Sequence, residues 1–293
     1  MGESISGLTR RAMLGASALL LPSPLLAADE GYDSPGTRFA AMEKQLGLRI
    51  GVAALDTGSG NSIFYRESER FLMCSTVKVM LVAATLARVD AGHEQLDRTV
   101  HYQKSDLLEY APETTKNLAR GMSVRALCAA AITFSDNTAA NLLFPGVEGP
   151  AGLTNFARKL DDSRTRFDRT EGALNVVDGE RDTTMPSAML ANLKDLLLGN
   201  ILSAGSRKQL TDWMIACSTG LTRLRGGLPV GWRAGDKTGS GGNGQLNDVA
   251  ILWPPGNRAP VLVCAYTEGN KPDDAADDRA LADIGRIISA RFV

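Results

Sequence analysis

From residue 34 onward the apolar positions change period several times, and each change predicts an element. In 34–46, Phe39, Met42 and Leu46 fall three or four residues apart, so they share one face of an amphipathic helix. The next apolar segment, 49–56, ends at the turn-forming run Thr57-Gly58-Ser59-Gly60 and is followed by 62–65, a pattern that predicts a hairpin. Helical spacing then dominates, in 75–91, closed by Gly92, and in 123–132, 139–143, 153–160, 187–198 and 206–216. Between two of these lies 165–186, which is long, polar and without period. Loops of that length inside a compact domain are usually functional. Strand-like segments return at 233–237, 247–253 and 261–267, and a helix over 274–290 closes the chain.

This order predicts an α/β fold joined to an all-α lobe. The early hairpin and the three late strands are expected to pair as one five-stranded antiparallel sheet covered by the terminal helices. The α/β domain then comprises 29–66 and 217–293. The all-helical domain is 67–216 and includes the polar loop at 166–184. The active site is expected between them.

Residues 1–28 stand apart. Arg10-Arg11 precede an apolar run, 12–26, that ends in Ala27-Ala28, the three parts of an export signal. The paired arginines resemble a twin-arginine signal, which carries already folded proteins. The run is short for a membrane span and is interrupted by Pro22 and Pro24. A periplasmic or secreted protein is therefore expected, free of the membrane once the signal is removed. The formal net charge of -1 argues against a nucleic-acid partner, which would demand a basic surface. Cys74, Cys128, Cys217 and Cys264 show no zinc-ligand spacing, and only His93 and His101 accompany them, so no metal site is expected.

Three short motifs carry candidate chemistry. In Ser75-Thr76-Val77-Lys78, at a helix start, the three-residue spacing sets the Lys78 amine beside the Ser75 hydroxyl, where it can activate a nucleophile. In Ser135-Asp136-Asn137 a hydroxyl can relay a proton and an amide can hold a carbonyl; the same residues also read as an N-cap of the following helix. Lys237-Thr238-Gly239-Ser240, at a strand end before Gly241-Gly242, offers an amine and hydroxyls to a carboxylate. Gly239 would let a ligand lie along the strand edge. Each motif alone is also an ordinary structural pattern.

Together and in this order the three resemble the signature of class A β-lactamases and penicillin-binding proteins. The resemblance extends to Phe71-Leu72-Met73-Cys74, to Tyr110 within Leu108-Glu109-Tyr110-Ala111-Pro112, to Arg181-Asp182-Thr183-Thr184-Met185-Pro186 and to Asn247-Asp248. It covers essentially the whole chain after the signal. Asp168-Arg169-Thr170-Glu171-Gly172-Ala173-Leu174-Asn175 resembles the family's Ω-loop, with Glu171 and Asn175 at the positions that hold the hydrolytic water. That feature separates a β-lactamase from penicillin-binding proteins and β-lactam sensors, whose acyl-enzymes persist.

The resemblance implies a monomeric hydrolase of β-lactam antibiotics, without cofactor, that confers resistance. It makes Ser75 the nucleophile and the backbone N–H groups of Ser75 and Ser240 the oxyanion hole. Lys78, or Glu171 through water, is the acylation base. Glu171 with Asn175 serves deacylation, and Ser135 protonates the leaving nitrogen. Asn137 binds the acyl side chain, Tyr110 walls the cleft, and Lys237, Thr238 and Ser240 meet the substrate carboxylate. Arg169 and Asp182 tie the two ends of the Ω-loop. Ser240 and Asn247-Asp248 resemble extended-spectrum members. The chain also departs from the pattern. Gly172 stands where proline is common, and the loop from Asn175 to Asp182 is shorter than usual. Leu246 occupies a position where many members carry arginine, and Arg223 aligns with an alternative arginine, expected at the edge of the Lys237–Ser240 strand. Cys74 and Cys128 resemble halves of disulfides known in some members. Their partner positions hold Gly241 and Val82, so free thiols are expected.

Overall fold

The computed structural model describes residues 34–269 and 274–292. The export signal expected at 1–28 lies outside the described residues. Helix α1 (Pro35–Leu46) starts at Ser34, whose hydroxyl accepts from the Thr37 N–H at 3.2 Å, and ends at Gly47 with φ +68°. Strand β1 (Leu48–Asp56) and strand β2 (Ser62–Tyr65) form the expected hairpin. The Asp56 carboxylate closes the turn by accepting from the Gly58 N–H at 2.9 Å and the Ser59 hydroxyl at 2.7 Å. After β3 (Phe71–Leu72) comes a 3₁₀ turn, Cys74–Thr76, and then α2 (Val77–Asp90). The short strands β4 (Thr99–Val100) and β5 (Met122–Ser123) pair with each other. Helices α3 (Val124–Thr133), α4 (Asn137–Leu143) and α5 (Gly149–Lys159) follow. Strand β6 (Thr183–Thr184) pairs back onto β3 and leads into α6 (Pro186–Leu197) and α7 (Ala204–Ile215). The chain closes with β7 (Arg233–Ser240), β8 (Leu246–Trp253), β9 (Val261–Gly269) and α8 (Asp274–Arg291).

The five long strands form one antiparallel sheet in the order β2-β1-β9-β8-β7. Its two faces bury two different sets of side chains, as the strand period of two requires. Along β9, Val261, Val263 and Ala265 join Phe39 of α1 and Leu281, Ile284 and Ile288 of α8. Leu262, Cys264 and Tyr266, one residue out of phase, join Met189 and Leu193 of α6 on the opposite face. Strand β9 is thus covered on both sides, which explains its unbroken apolar run. Helix α2 is buried all round from Val77 to Leu86 and forms the axis of the helical part.

The structure shifts several boundaries. Ser75 lies in the 3₁₀ turn ahead of α2 rather than in the helix itself. Side chains three apart eclipse in such a turn, so Lys78 still reaches the Ser75 hydroxyl. Strand β7 runs on to Ser240 because its pairing with β8 continues through Lys237↔Val249 and Ser240↔Leu246. The polar loop is not wholly irregular: Ala173–Asn175 forms a 3₁₀ turn and β6 anchors its end.

Candidate active site

Lys78 is the hub of the site. Its side chain is fully buried at the start of α2. The Nζ donates to Ser75 Oγ at 2.9 Å, to the Ser135 carbonyl at 2.8 Å and to Asn137 Oδ1 at 2.7 Å. It also lies 3.2 Å from Ser135 Oγ and 2.9 Å from Glu171 Oε1. Burial pushes the Lys78 pKa down, and the Glu171 carboxylate opposes that shift. The Ser75 hydroxyl in turn donates to Glu171 Oε1 at 3.2 Å. One serine oxygen therefore sits within reach of two groups that can take its proton. Cys74 and Ser135 flank the arrangement with φ of +48° and +58°. Such left-handed geometry at residues other than glycine costs about 1–3 kcal/mol each and persists where surrounding contacts enforce it.

Glu171 is held from three directions. Its backbone N–H donates to Asn141 Oδ1 at 2.8 Å, and Asn141 Nδ2 donates to its carbonyl at 3.3 Å. Asn175 Nδ2 donates to its Oε2 at 3.0 Å, while the buried Asn175 Oδ1 has no partner among the described residues. The loop that carries both is closed at its neck, where Arg169 Nε meets Asp182 Oδ2 at 2.6 Å. Asp182 Oδ1 accepts from the N–H groups of Asp168 and Arg169 at 2.8 and 2.9 Å. Gly172 takes φ +96°, a value closed to proline, whose ring holds φ near −65°.

The opposite wall is the free edge of β7. Lys237 is fully buried and donates to Ser135 Oγ at 3.0 Å and to the Thr238 carbonyl at 2.8 Å. Burial lowers its pKa to about 8. Arg223 points its guanidinium at this edge, as expected. It donates to the carbonyls of Gly239 and Asn247 at 2.8 and 3.0 Å and to Ser240 Oγ at 2.8 Å. Gly239 lines the cleft and also serves a packing end. A Cβ there would lie 2.7 Å from the Met73 carbonyl and 3.2 Å from the Ser75 nitrogen, so its absence lets β7 approach the turn that carries Ser75. Ser75, Tyr110, Asn137, Asn175, Thr238 and Ser240 open into one cleft of about 360 Å³.

A sequence model described as the Beta-lactamase enzyme family matches residues 36–292. The chain belongs to the β-lactamase enzyme family. It is similar to β-lactamase AST-1 of Nocardia asteroides, 44% identical over 253 residues that cover 86% of this chain and 81% of the relative. It is also 44% identical to β-lactamase L2 of Stenotrophomonas maltophilia over 282 residues, 93% of each chain. Among solved structures it resembles an ancestral class A β-lactamase with a TM-score of 0.86 and 52% identity, over 88% of this chain and 99% of that one. The class A β-lactamase of the last common ancestor of Gram-negative bacteria gives the same four values, 0.86, 52%, 88% and 99%. The protein is thus a class A serine β-lactamase with the antiparallel sheet and helical part of that fold.

Several contacts of this β-lactamase site were not legible beforehand. Asn141 clamps Glu171; its only advance signal is a position one turn after Asn137 on α4. Thr219 shares a hydrogen bond of 2.6 Å with Thr238 and lines the cleft. Asp278 of α8 receives Arg223 Nε at 2.9 Å and so fixes the arginine's direction. Asp136 caps α4, accepting from the Ala139 N–H at 2.8 Å, which is the N-cap that Ser135-Asp136-Asn137 also offered. Asn247 and Asp248 are fully buried and do not line the cleft. Asn247 instead donates to the carbonyls of Leu72 and Met73 at 2.9 and 3.1 Å, steadying the turn before Ser75. All four cysteines are buried free thiols.

Proposed function

We propose that this β-lactamase works through an acyl-enzyme on Ser75 that Glu171 and Asn175 deacylate. The observation that carries the reading is the convergence on Ser75 Oγ of Lys78 Nζ at 2.9 Å and Glu171 Oε1 at 3.2 Å. Ser75 Oγ attacks the lactam carbonyl carbon, and its proton passes to the Lys78–Glu171 pair. The backbone N–H groups of Ser75 and Ser240 receive the oxyanion. The C–N bond then breaks, and Ser135 Oγ delivers a proton to the departing nitrogen, replenished from Lys78 or Lys237. In the second half Glu171 removes a proton from a water that Asn175 helps to hold. The water oxygen attacks the ester carbon, and Ser75 leaves with a proton restored. Lys237, Thr238 and Ser240 hold the substrate carboxylate, with Arg223 supporting their edge from behind. Asn137 takes the acyl side-chain amide and Tyr110 walls the cleft.

The division of labour is tested by intact-mass spectrometry with a penicillin. Ser75→Ala is expected to lose turnover and to carry no adduct. Glu171→Ala is expected to accumulate an acyl adduct. Rapid turnover by the second variant would overturn the role given to Glu171.

The same reading extends to the whole chain. The apolar clusters on either side of the sheet support one unit from 29–66 with 217–293 and a second from 67–216. Arg10-Arg11 and the apolar run after them support export of a folded monomer by the twin-arginine route.

A further inference from the structure

Sharing no lining residue with the cleft, a groove of about 470 Å³ lies between α5, Arg70 and the residues that lead into the Ω-loop. Four guanidinium groups line it, those of Arg70, Arg158, Arg164 and Arg166, and Asp168 is its one lining carboxylate. Two of the arginines are fixed by uncharged partners, which orient them without cancelling their charge. Arg70 Nη1 donates to the Arg164 carbonyl at 2.8 Å and to Thr183 Oγ1 at 3.1 Å. Arg158 Nη1 donates to the carbonyls of Asp162 and Thr165, the latter at 2.8 Å. The ion pair of Arg70 with Glu180 spans 3.3 Å, but the glutamate side chain is 62% exposed, so it offsets little of the charge.

Asp162 and Asp168 already have partners, and Asp168 offsets one of the groove arginines, Arg166. The Asp162 carboxylate is buried and turned inward, accepting from the N–H groups of Arg164 and Thr165 at 2.8 and 2.9 Å and from Asn192 Nδ2 at 2.7 Å. Asp168 is taken by Arg166, at 2.6 and 2.9 Å, and by the Asp182 N–H at 3.0 Å. The side chains of Asn155, Ser163 and Arg164 face the groove and make no hydrogen bond among the described residues. The groove therefore combines oriented cations in excess over carboxylates with unspent donors. Guanidinium forks match the oxygens of a tetrahedral oxyanion. We infer that this groove is a binding site for a free diphosphate-type anion, separate from the substrate cleft.

Isothermal titration of the whole enzyme with inorganic pyrophosphate tests this. One saturable site is expected. Arg164→Glu, a change at a side chain without partners, is expected to weaken it at least about tenfold, or 1.4 kcal/mol. Lys208→Glu makes the same change of charge at an exposed position of α7 and should leave the affinity unaltered. Both variants should keep wild-type turnover of a chromogenic cephalosporin, which also reports folding. Absence of saturable binding overturns the inference. Equal weakening by both variants overturns it as well, since the surface field alone would then explain the binding. Competitive inhibition of β-lactam turnover by pyrophosphate would locate the anion at the Lys237–Ser240 edge and likewise refute the groove.

Discussion

Lys78 and Lys237 are both fully buried, and their amines lie 3.2 and 3.0 Å from the same Ser135 hydroxyl. Burial disfavours the charged form of each, and the proximity of Lys78 adds to the lowering at Lys237. A lysine shifted down is protonated below its pKa and neutral above it. If Lys237 holds the substrate carboxylate as proposed, that attraction is present below pH about 8 and lost as the pH rises through that value. The profile of kcat/KM for penicillins should show an alkaline limb there. In Lys237→Arg the limb should move to higher pH, because a guanidinium stays charged. An alkaline limb that stays put in that variant would assign it to another group. The three-residue spacing of Ser75 and Lys78 was visible in the sequence. The competition of two lysines for Ser135 was not, because it depends on β7 being brought against the turn after α3.

The Ω-loop holds its shape through its ends. Arg169 and Asp182 have side-chain exposures of 18% and 3%, so their ion pair is mostly withdrawn from water. Asp182→Ala would leave Arg169 with the looser Asp178 pair at 3.8 Å and the N–H groups of Asp168 and Arg169 without their acceptor. Breaking a buried pair on one side costs roughly 3–5 kcal/mol, and the partial exposure of Arg169 puts this case near the lower end. Asp182→Ala should therefore melt at a lower temperature and deacylate far more slowly than it acylates. Rapid-mixing kinetics would show this as a stoichiometric burst followed by a slow steady state. Equal losses in both steps would mean that the neck does not control the position of Glu171. The loop was recognisable in the sequence from its length and polarity. Its clamp was not, since Asn141 reaches Glu171 only after α4 has packed beside it.

At the scale of the molecule, the first and last strands of the sheet's centre pair with each other, Leu48↔Gly269 through Asp56↔Val261. The sheet is incomplete until β9 has been made, so its two halves must form together. The four thiols are all buried and unpaired. Arg10→Lys together with Arg11→Lys should retain β-lactamase activity inside the cell and deplete it outside. Alkylation of the wild-type enzyme should modify four thiols only after unfolding. Undiminished export by the double variant would rule out the twin-arginine route.

Local patterns in the sequence determined the elements and the chemical groups. Period and turn residues specified the sheet strands and most helices, because each element must bury one face. The three serine and lysine motifs, with Glu171 and Asn175, named the candidate groups through their resemblance to a known family, because each is carried on a short contiguous stretch. Tertiary structure alone decided how those stretches meet. It set Gly239 against the Met73 carbonyl, directed Arg223 between α8 and β7, and turned Asn247 inward to hold the turn before Ser75. These are contacts between residues far apart in the chain, and their distances are set by the packing of whole elements, which no local spacing encodes.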